Sequence, residues 1–152
     1  MEGNIIYTVK ELSTDDIESI KILFLSVFTS EPWNDDWSDN SQLDLYMCDL
    51  IKQSNSLAYG IFDNTELIGA SLGCIKHWYT GTEYCIDEFF IKTERQGNGV
   101  GKKFMEEIQL LIKKRGMSLM FLLTDRNVPA YNFYKRNGFN ELETHVLFVK
   151  KI

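Results

Sequence analysis

The order of apolar segments predicts an α/β or α+β fold, a mixed sheet with helices on both faces. Three observations lead there. Strand and helix periodicities interleave as strand, two helices, three strands, helix, strand, helix, strand. Met117 to Thr124 is almost wholly apolar, which suits a central strand covered on both sides. Between these runs, a turn with glycines at alternate positions feeds straight into an amphipathic helix.

Ile5 to Leu12 alternates enough to open as a strand, and Ser13 or Thr14 then caps a helix whose first turn holds Asp15 and Asp16. Ile17, Ile20, Phe24, Val27 and Phe28 give that helix one apolar stripe. Pro32, Trp33 and Trp37, set among acidic residues, mark Glu31 to Asn40 as a loop. Ser41 to Gln53 predicts a second helix with Leu43, Tyr46, Met47 and Leu50 inward. Strands are expected over Leu57–Phe62 and Glu66–His77, joined by the Asp63-Asn64-Thr65 turn, and over Glu83–Ile91 after the Gly81 break. Val100, Phe104, Ile108, Leu111 and Ile112 form the buried face of the next helix, which Gly116 ends. Pro129 starts a short helix that stops at Asn137-Gly138. Phe139 to Lys150 is expected to close the chain as strand material.

A length of 152 residues without repeats or linkers predicts one domain spanning 1–152. No run of about twenty apolar residues spans a membrane, and Met1 to Asn4 lacks the basic start of a signal peptide. The expectation is a cytoplasmic protein. Three cysteines without CxxC spacing and only two histidines argue against a disulfide framework and against a metal site. A net charge of −6 disfavours nucleic acid as a partner and is compatible with a cationic ligand.

The segment Gln96-Gly97-Asn98-Gly99-Val100-Gly101 carries the most chemistry. Its backbone N–H groups have little steric cover and can converge on one anion, and the following helix adds its positive dipole end. A P-loop requires GxxxxGK and then Ser or Thr, but Gln96 holds the first glycine position and Lys103 the last. A dinucleotide fingerprint requires GxGxxG, and Lys102 stands where the third glycine belongs. What remains is a diphosphate held in some other setting, or a turn that holds no ligand.

Gln96-x-x-Gly99-x-Gly101 resembles the Gln/Arg-x-x-Gly-x-Gly/Ala signature of the GNAT acetyltransferase superfamily. A second stretch, Asn127-x-x-Ala130-x-x-x-Tyr134-Lys135-x-x-Gly138-Phe139, is similar to that family's Asn…Ala…Tyr…Gly-Phe segment. The resemblance implies a GNAT fold, with a mostly antiparallel sheet whose central strands Glu83–Ile91 and Met117–Thr124 splay apart. It implies acetyl-coenzyme A as cofactor. The diphosphate would lie on the amides of Gln96, Gly97, Asn98, Gly99, Val100 and Gly101, with Lys102 in reach. Pantetheine would lie along the backbone of Phe89, Phe90 and Ile91. Asn127, a good N-capping residue, is expected to cap the last helix and can also bond the pantetheine arm, though capping alone accounts for it. Relatives are often dimers, so a homodimer is an expectation of the same kind.

Acetyl transfer to an amine requires a neutral amine, although free alkylammonium groups have a pKa of about 10. It also requires stabilisation of the developing oxyanion, for which a backbone N–H near Phe89 serves, and a proton for the departing thiolate. Tyr134 stands where many family members carry a tyrosine close to the coenzyme sulfur. For the base, Asp87 and Glu88 are adjacent carboxylates inside an apolar strand, where charge is costly. Strict alternation would aim one at the cleft and the other away. The run Ile86-Asp87-Glu88-Phe89 resembles the matching strand of aminoglycoside 6′-N-acetyltransferases, in which the aspartate at the place of Asp87 is the suggested base or amine anchor. A water relay is the alternative to either carboxylate.

Trp33, Asp36 and Trp37 lie in a loop that has no basic residue from Glu31 to Asp39. Carboxylates and indole faces together suit a cation; so does Tyr79, expected with Trp78 to form an opposite wall. The chain is therefore expected to acetylate a small aminoglycoside- or polyamine-like amine by direct attack in a ternary complex. The alternatives are a protein or peptide amine as acceptor, or acetyl-coenzyme A binding without turnover.

Overall fold

A computed structural model describes residues 3–152. Along the chain run β1 (Tyr7–Glu11), α1 (Ile17–Phe28), α2 (Asn40–Ile51), β2 (Ser56–Asp63), β3 (Glu66–Trp78), β4 (Gly81–Ile91), α3 (Val100–Lys114), β5 (Leu119–Leu122) and α4 (Pro129–Arg136). The five strands lie in sequence order in one sheet. Strands β1 to β4 pair antiparallel, and β5 joins β4 in parallel after the α3 crossover.

Local chemistry explains the starts and stops. A capping box precedes α1: Asp15 N–H donates to Ser13 Oγ at 3.3 Å, and Ser13 N–H donates to Asp16 Oδ2 at 2.8 Å. Asp39 caps α2 by accepting from Ser41 N–H at 3.0 Å and Gln42 N–H at 3.1 Å. Gly116, at φ 79°, ends α3 with the Met117 N–H on the Ile112 carbonyl.

Two apolar layers hold the sheet between helices. On one face, Ile20, Phe24 and Val27 of α1 and Leu43, Met47 and Leu50 of α2 pack on Ala70, Leu72 and Phe90. On the other, Val100, Phe104, Ile108 and Ile112 of α3 pack on Tyr59, Ile61, Ile68, Tyr84 and Ile86. Tyr84 is fully buried, and its hydroxyl is shared with Ser71 Oγ at 2.8 Å and the Leu57 carbonyl at 3.2 Å. No helix is long and apolar enough to cross a membrane among the described residues.

Two expectations change. Strand β5 is shorter than Met117–Thr124 and only partly buried, because nothing pairs with its outer edge among the described residues. The expected strand over Phe139–Lys150 does not form: residues 140–152 are exposed and lie outside the sheet. A strand exists only through its ladder, and this segment finds none among the described residues.

Candidate active site

The glycine turn bridges the end of β4 and the start of α3. Gln96 ties it down by donating its side-chain amide to the Ile91 carbonyl at 2.8 Å. Gly97 and Gly99 have φ of 81° and 79°, the left-handed region that side chains disfavour, with open space where a Cβ would stand. Gly101 has a different reason: a Cβ there would meet the Phe133 ring at 3.0 Å. The backbone of the turn is thus bare toward solvent at the N-terminus of a fifteen-residue helix. Lys102 and Lys103 pair along α3 with Glu106 and Glu107 at 4.0 and 3.8 Å, and Lys102 is well exposed.

Beside the turn the sheet splays. Strand β5 pairs with β4 only from Glu83 to Ile86, so Asp87 to Ile91 has no ladder partner on that side among the described residues. Phe89 turns toward α3 and α4, stacked on Phe104 at 5.3 Å and Phe133 at 5.6 Å, while Phe90 enters the α1 layer beside Phe24 and Phe28. Ile91 is buried against the α3 layer. These side chains leave the main chain of β4 free on its open side. A slot with unpaired strand backbone, opening next to a bare helix N-terminus, suits a long amide-bearing arm with a diphosphate at its end. The residues present therefore fit coenzyme A.

Strict alternation fails at the two carboxylates. Leu72 pairs with Glu88 and Gly73 with Ile86, which leaves Asp87 as the extra residue of a β-bulge. The bulge brings both carboxylates to the α2 side. Glu88 accepts from the Tyr46 hydroxyl at 2.5 Å, and Asp87 borders a cavity that Tyr46 also lines. Gly73, which sequence reasoning passed over, makes this possible: a Cβ there would lie 2.0 Å from the Cys85 carbonyl oxygen. Tyr46 was legible only as an inward helix position; its hydroxyl implied a buried partner without naming it.

Burial raises both carboxyls above their ordinary values. Lys76 partly offsets this for Asp87. For Glu88 the Tyr46 hydrogen bond opposes it, while the charges of Asp87 and Asp35 add to it. Burial pushes the Cys85 thiol up to about 11, so it stays protonated and is no nucleophile at neutral pH. Tyr134 is raised above the ordinary phenol value by burial and by the charge of Glu88. Its ring touches Phe89, Phe133 and Phe139. It remains a proton donor at neutral pH.

Asn127 does not cap α4. Val128 is the N-cap residue, and Pro129 begins the helix with no side-chain cap. Pro129 has no N–H to cap, and the extended Val128 sets the entry. Asn127 is exposed and its side chain makes no hydrogen bond among the described residues.

The cavity of about 500 Å³ opens between α2, β4 and the end of β5, with Asp49, Asp87 and Tyr46 on its polar side and Leu122 and Leu123 on its apolar side. Lys76 lines the cavity as well, with its ammonium 5.5 Å from the Phe121 ring. Of the loop aromatics, Trp37 stacks on Tyr46 at 5.4 Å and 9°, and its Nε1 is buried without an acceptor among the described residues. Trp33 packs on Phe28 at 5.6 Å. Both indoles are thus half in the core, with Trp37 joined to the carboxylates through Tyr46. Asp36 accepts from Ser38 N–H at 3.0 Å, and hydrogen bonding to Ser38 holds its carboxyl below the usual range. Tyr79 sits at the tip of the β3–β4 hairpin, 88% exposed, and does not line the cavity. It is separated from Asp87 by most of β4, roughly 20 Å of strand at 3.3 Å per residue.

A mixed sheet that opens between β4 and its edge strand β5, beside a glycine turn at a helix N-terminus, has the form of an acyltransferase that lays an acyl-coenzyme A in the opening. Known structures share this fold. An aminoglycoside acetyltransferase, meta-AAC0020, from an uncultured soil metagenomic sample matches with a TM-score of 0.74 at 20% identity over 98% of each chain. The aminoglycoside N-acetyltransferase AAC(6')-Iy, in complex with CoA, matches at 0.75 and 15% identity over 99% of this chain and 98% of its own. A ribosomal-protein-alanine N-acetyltransferase from Brucella melitensis biovar Abortus 2308 matches at 0.74 and 16%, over 97% and 100%. Residues 17–139 match the acetyltransferase (GNAT) family, and the chain belongs to it. It is an N-acetyltransferase whose acetyl donor is acetyl-coenzyme A.

Proposed function

We propose that this enzyme transfers acetyl to a primary amine on a small cationic acceptor of aminoglycoside or polyamine type, by direct attack with both substrates bound. The observation that carries this reading is the carboxylate-lined cavity: Asp49 and Asp87 border it, and Glu88 stands behind Tyr46 beside the open edge of β4. Carboxylates grouped in a partly desolvated cleft attract cations and select against anionic acceptors.

Bound acetyl-coenzyme A supplies an activated thioester carbonyl. The amides of Gln96 to Gly101 and the N-terminus of α3 hold the diphosphate. The free main chain from Phe89 to Ile91 pairs with the pantetheine amides, and the Asn127 side chain adds a further polar contact. Asp87, open to the cavity, anchors the acceptor ammonium and takes its proton. Glu88 is fixed by Tyr46 and adds negative charge behind it. A main-chain N–H near Phe89 donates to the carbonyl oxygen as its charge grows. Tyr134 gives a proton to the departing sulfur.

Coenzyme A release measured over a panel of aminoglycosides, polyamines and amino-terminal peptides tests the acceptor class. Polycations are expected to react, and Asp87→Asn to raise their KM while coenzyme A affinity stays unchanged. Peptides that react while polycations do not would refute the acceptor. Tight coenzyme A binding with no turnover on any amine would refute catalysis.

A further inference from the structure

Two of the three cysteines meet across the sheet. Cys74 of β3 stands directly opposite Cys85 of β4, and both thiols are free and partly exposed. Residues so opposed in an antiparallel pair share a face and hold their Cβ atoms about 4.5–5.5 Å apart. A disulfide spans Cβ atoms about 3.5–4.5 Å apart, so closure needs an approach of roughly 1 Å and no change of register. Ser56 of β2 pairs with Cys74 on its other side, and Phe121 of β5 does the same for Cys85. The two thiols are thus held in place well inside the sheet.

Their position bears on the site. Cys85 lines the cavity that Asp87 and Lys76 also line. Ile86 alone separates Cys85 from Asp87, and Gly73, the residue before Cys74, makes the close approach that accompanies the bulge. A change in the spacing of β3 and β4 at this pair is therefore passed to the bulge one step away. Burial first, then the neighbouring Asp87 and Cys74, hold the Cys85 thiol up at about 11. Cys74 is accordingly the thiol that reacts with an oxidant first.

We propose that Cys74 and Cys85 form a redox modification site, at which hydrogen peroxide closes a cross-strand disulfide and lowers acetyl transfer to the acceptor. The Cys74 sulfur attacks a peroxide oxygen, the O–O bond breaks, and a sulfenic acid forms with release of water. The Cys85 sulfur then attacks the Cys74 sulfur, and its proton leaves with the displaced hydroxyl as a second water. Two thiols are oxidised to the disulfide, and one peroxide is reduced to two waters. Because the strands must be drawn together, the bond is strained and a dithiol reopens it readily. The fall in transfer rests on the reading of Asp87 as the acceptor's anchor; the disulfide itself does not.

The full chain is treated with hydrogen peroxide, alkylated, and read by peptide mass mapping, amide hydrogen exchange and coenzyme A release. A Cys74–Cys85 cross-link is expected, with altered exchange at 73–74 and 85–88, and dithiothreitol is expected to reverse both. With coenzyme A affinity unchanged, kcat/KM for a reactive amine is expected to fall about tenfold, as for a shift of about half an ångström where 1 Å costs about 10²-fold. Cys74→Ser is expected to keep the untreated activity and lose the peroxide sensitivity, whereas Cys48→Ser keeps both. Oxidation that leaves Cys74 and Cys85 unlinked overturns the proposal, as does a loss of activity that persists in Cys74→Ser. So does a mapped disulfide with unchanged kcat/KM. If no amine reacts at all, the acceptor reading fails by itself, and the mapped cross-link with its exchange change still decides the disulfide.

Discussion

Replacing Gly73 by alanine tests whether the bulge at Asp87 is what places the two carboxylates. The added Cβ would lie 2.0 Å from the Cys85 carbonyl oxygen and 3.1 Å from the Ile86 Cα. Side chains essentially never approach within 3.0 Å, so main chain must move by at least about 1 Å. No flexible side chain can absorb this, and β3 and β4 must separate at the bulge. Overpacking costs about 1–3 kcal/mol, and a main-chain obstacle belongs at the upper end. For a chain of this size, about 3 kcal/mol lowers Tm by roughly 6–12 °C. Misplacing a reacting group by 1 Å costs about 10²-fold in rate. Thermal unfolding, steady-state kinetics and coenzyme A titration together read the outcome: lower Tm, a kcat/KM reduced about 100-fold, and coenzyme A affinity nearly intact. Gly60→Ala is the control, since its Cβ meets only the side-chain ends of Leu67, Leu12 and Phe62, at 2.7 to 3.0 Å. If Gly73→Ala retains both Tm and kcat/KM, the bulge does not position the site.

Three further outcomes follow from the geometry. Tyr134→Phe removes the phenol and keeps the ring contacts, so kcat is expected to fall about 10²-fold with coenzyme A affinity unchanged; an unaltered kcat removes Tyr134 as the acid. Tyr46→Phe deletes a hydrogen bond that favours ionised Glu88, so Glu88 rises further from its already raised value. If ionised Glu88 assists the reaction, the acid limb of the kcat/KM profile moves to higher pH, and an unmoved limb removes Glu88 from the rate. Gly99→Ala forces a side chain into φ 79° and is expected to lower Tm by about 2–4 °C. It should also weaken coenzyme A about tenfold by calorimetry; unchanged affinity would separate the turn from the diphosphate.

The helices, the antiparallel strands and the glycine turn were legible because their signals are local. The stripe of α3, the Ser13 cap and the glycine that ends α3 each follow from neighbouring residues and steric rules that hold in any context. The slot beside β4 was legible through its motif, which records a backbone need. Asn127 was ambiguous even locally, since Val128 and Pro129 compete for the same helix start.

What depended on distant pairing was not written in any window of sequence. Alternation predicted opposite faces for Asp87 and Glu88, and the close approach of Gly73 to Cys85 overrode it by inserting a bulge. Tyr46 met Glu88 because α2 packs on the sheet beside β4, and the β3–β4 hairpin carries Tyr79 at its tip away from the cavity that Asp87 borders. The last apolar segment has a strand's composition, yet its state rests on a ladder partner that composition cannot supply. Periodicity encodes which side of an element is apolar; which elements meet, and in what register, follows from packing the whole chain at once.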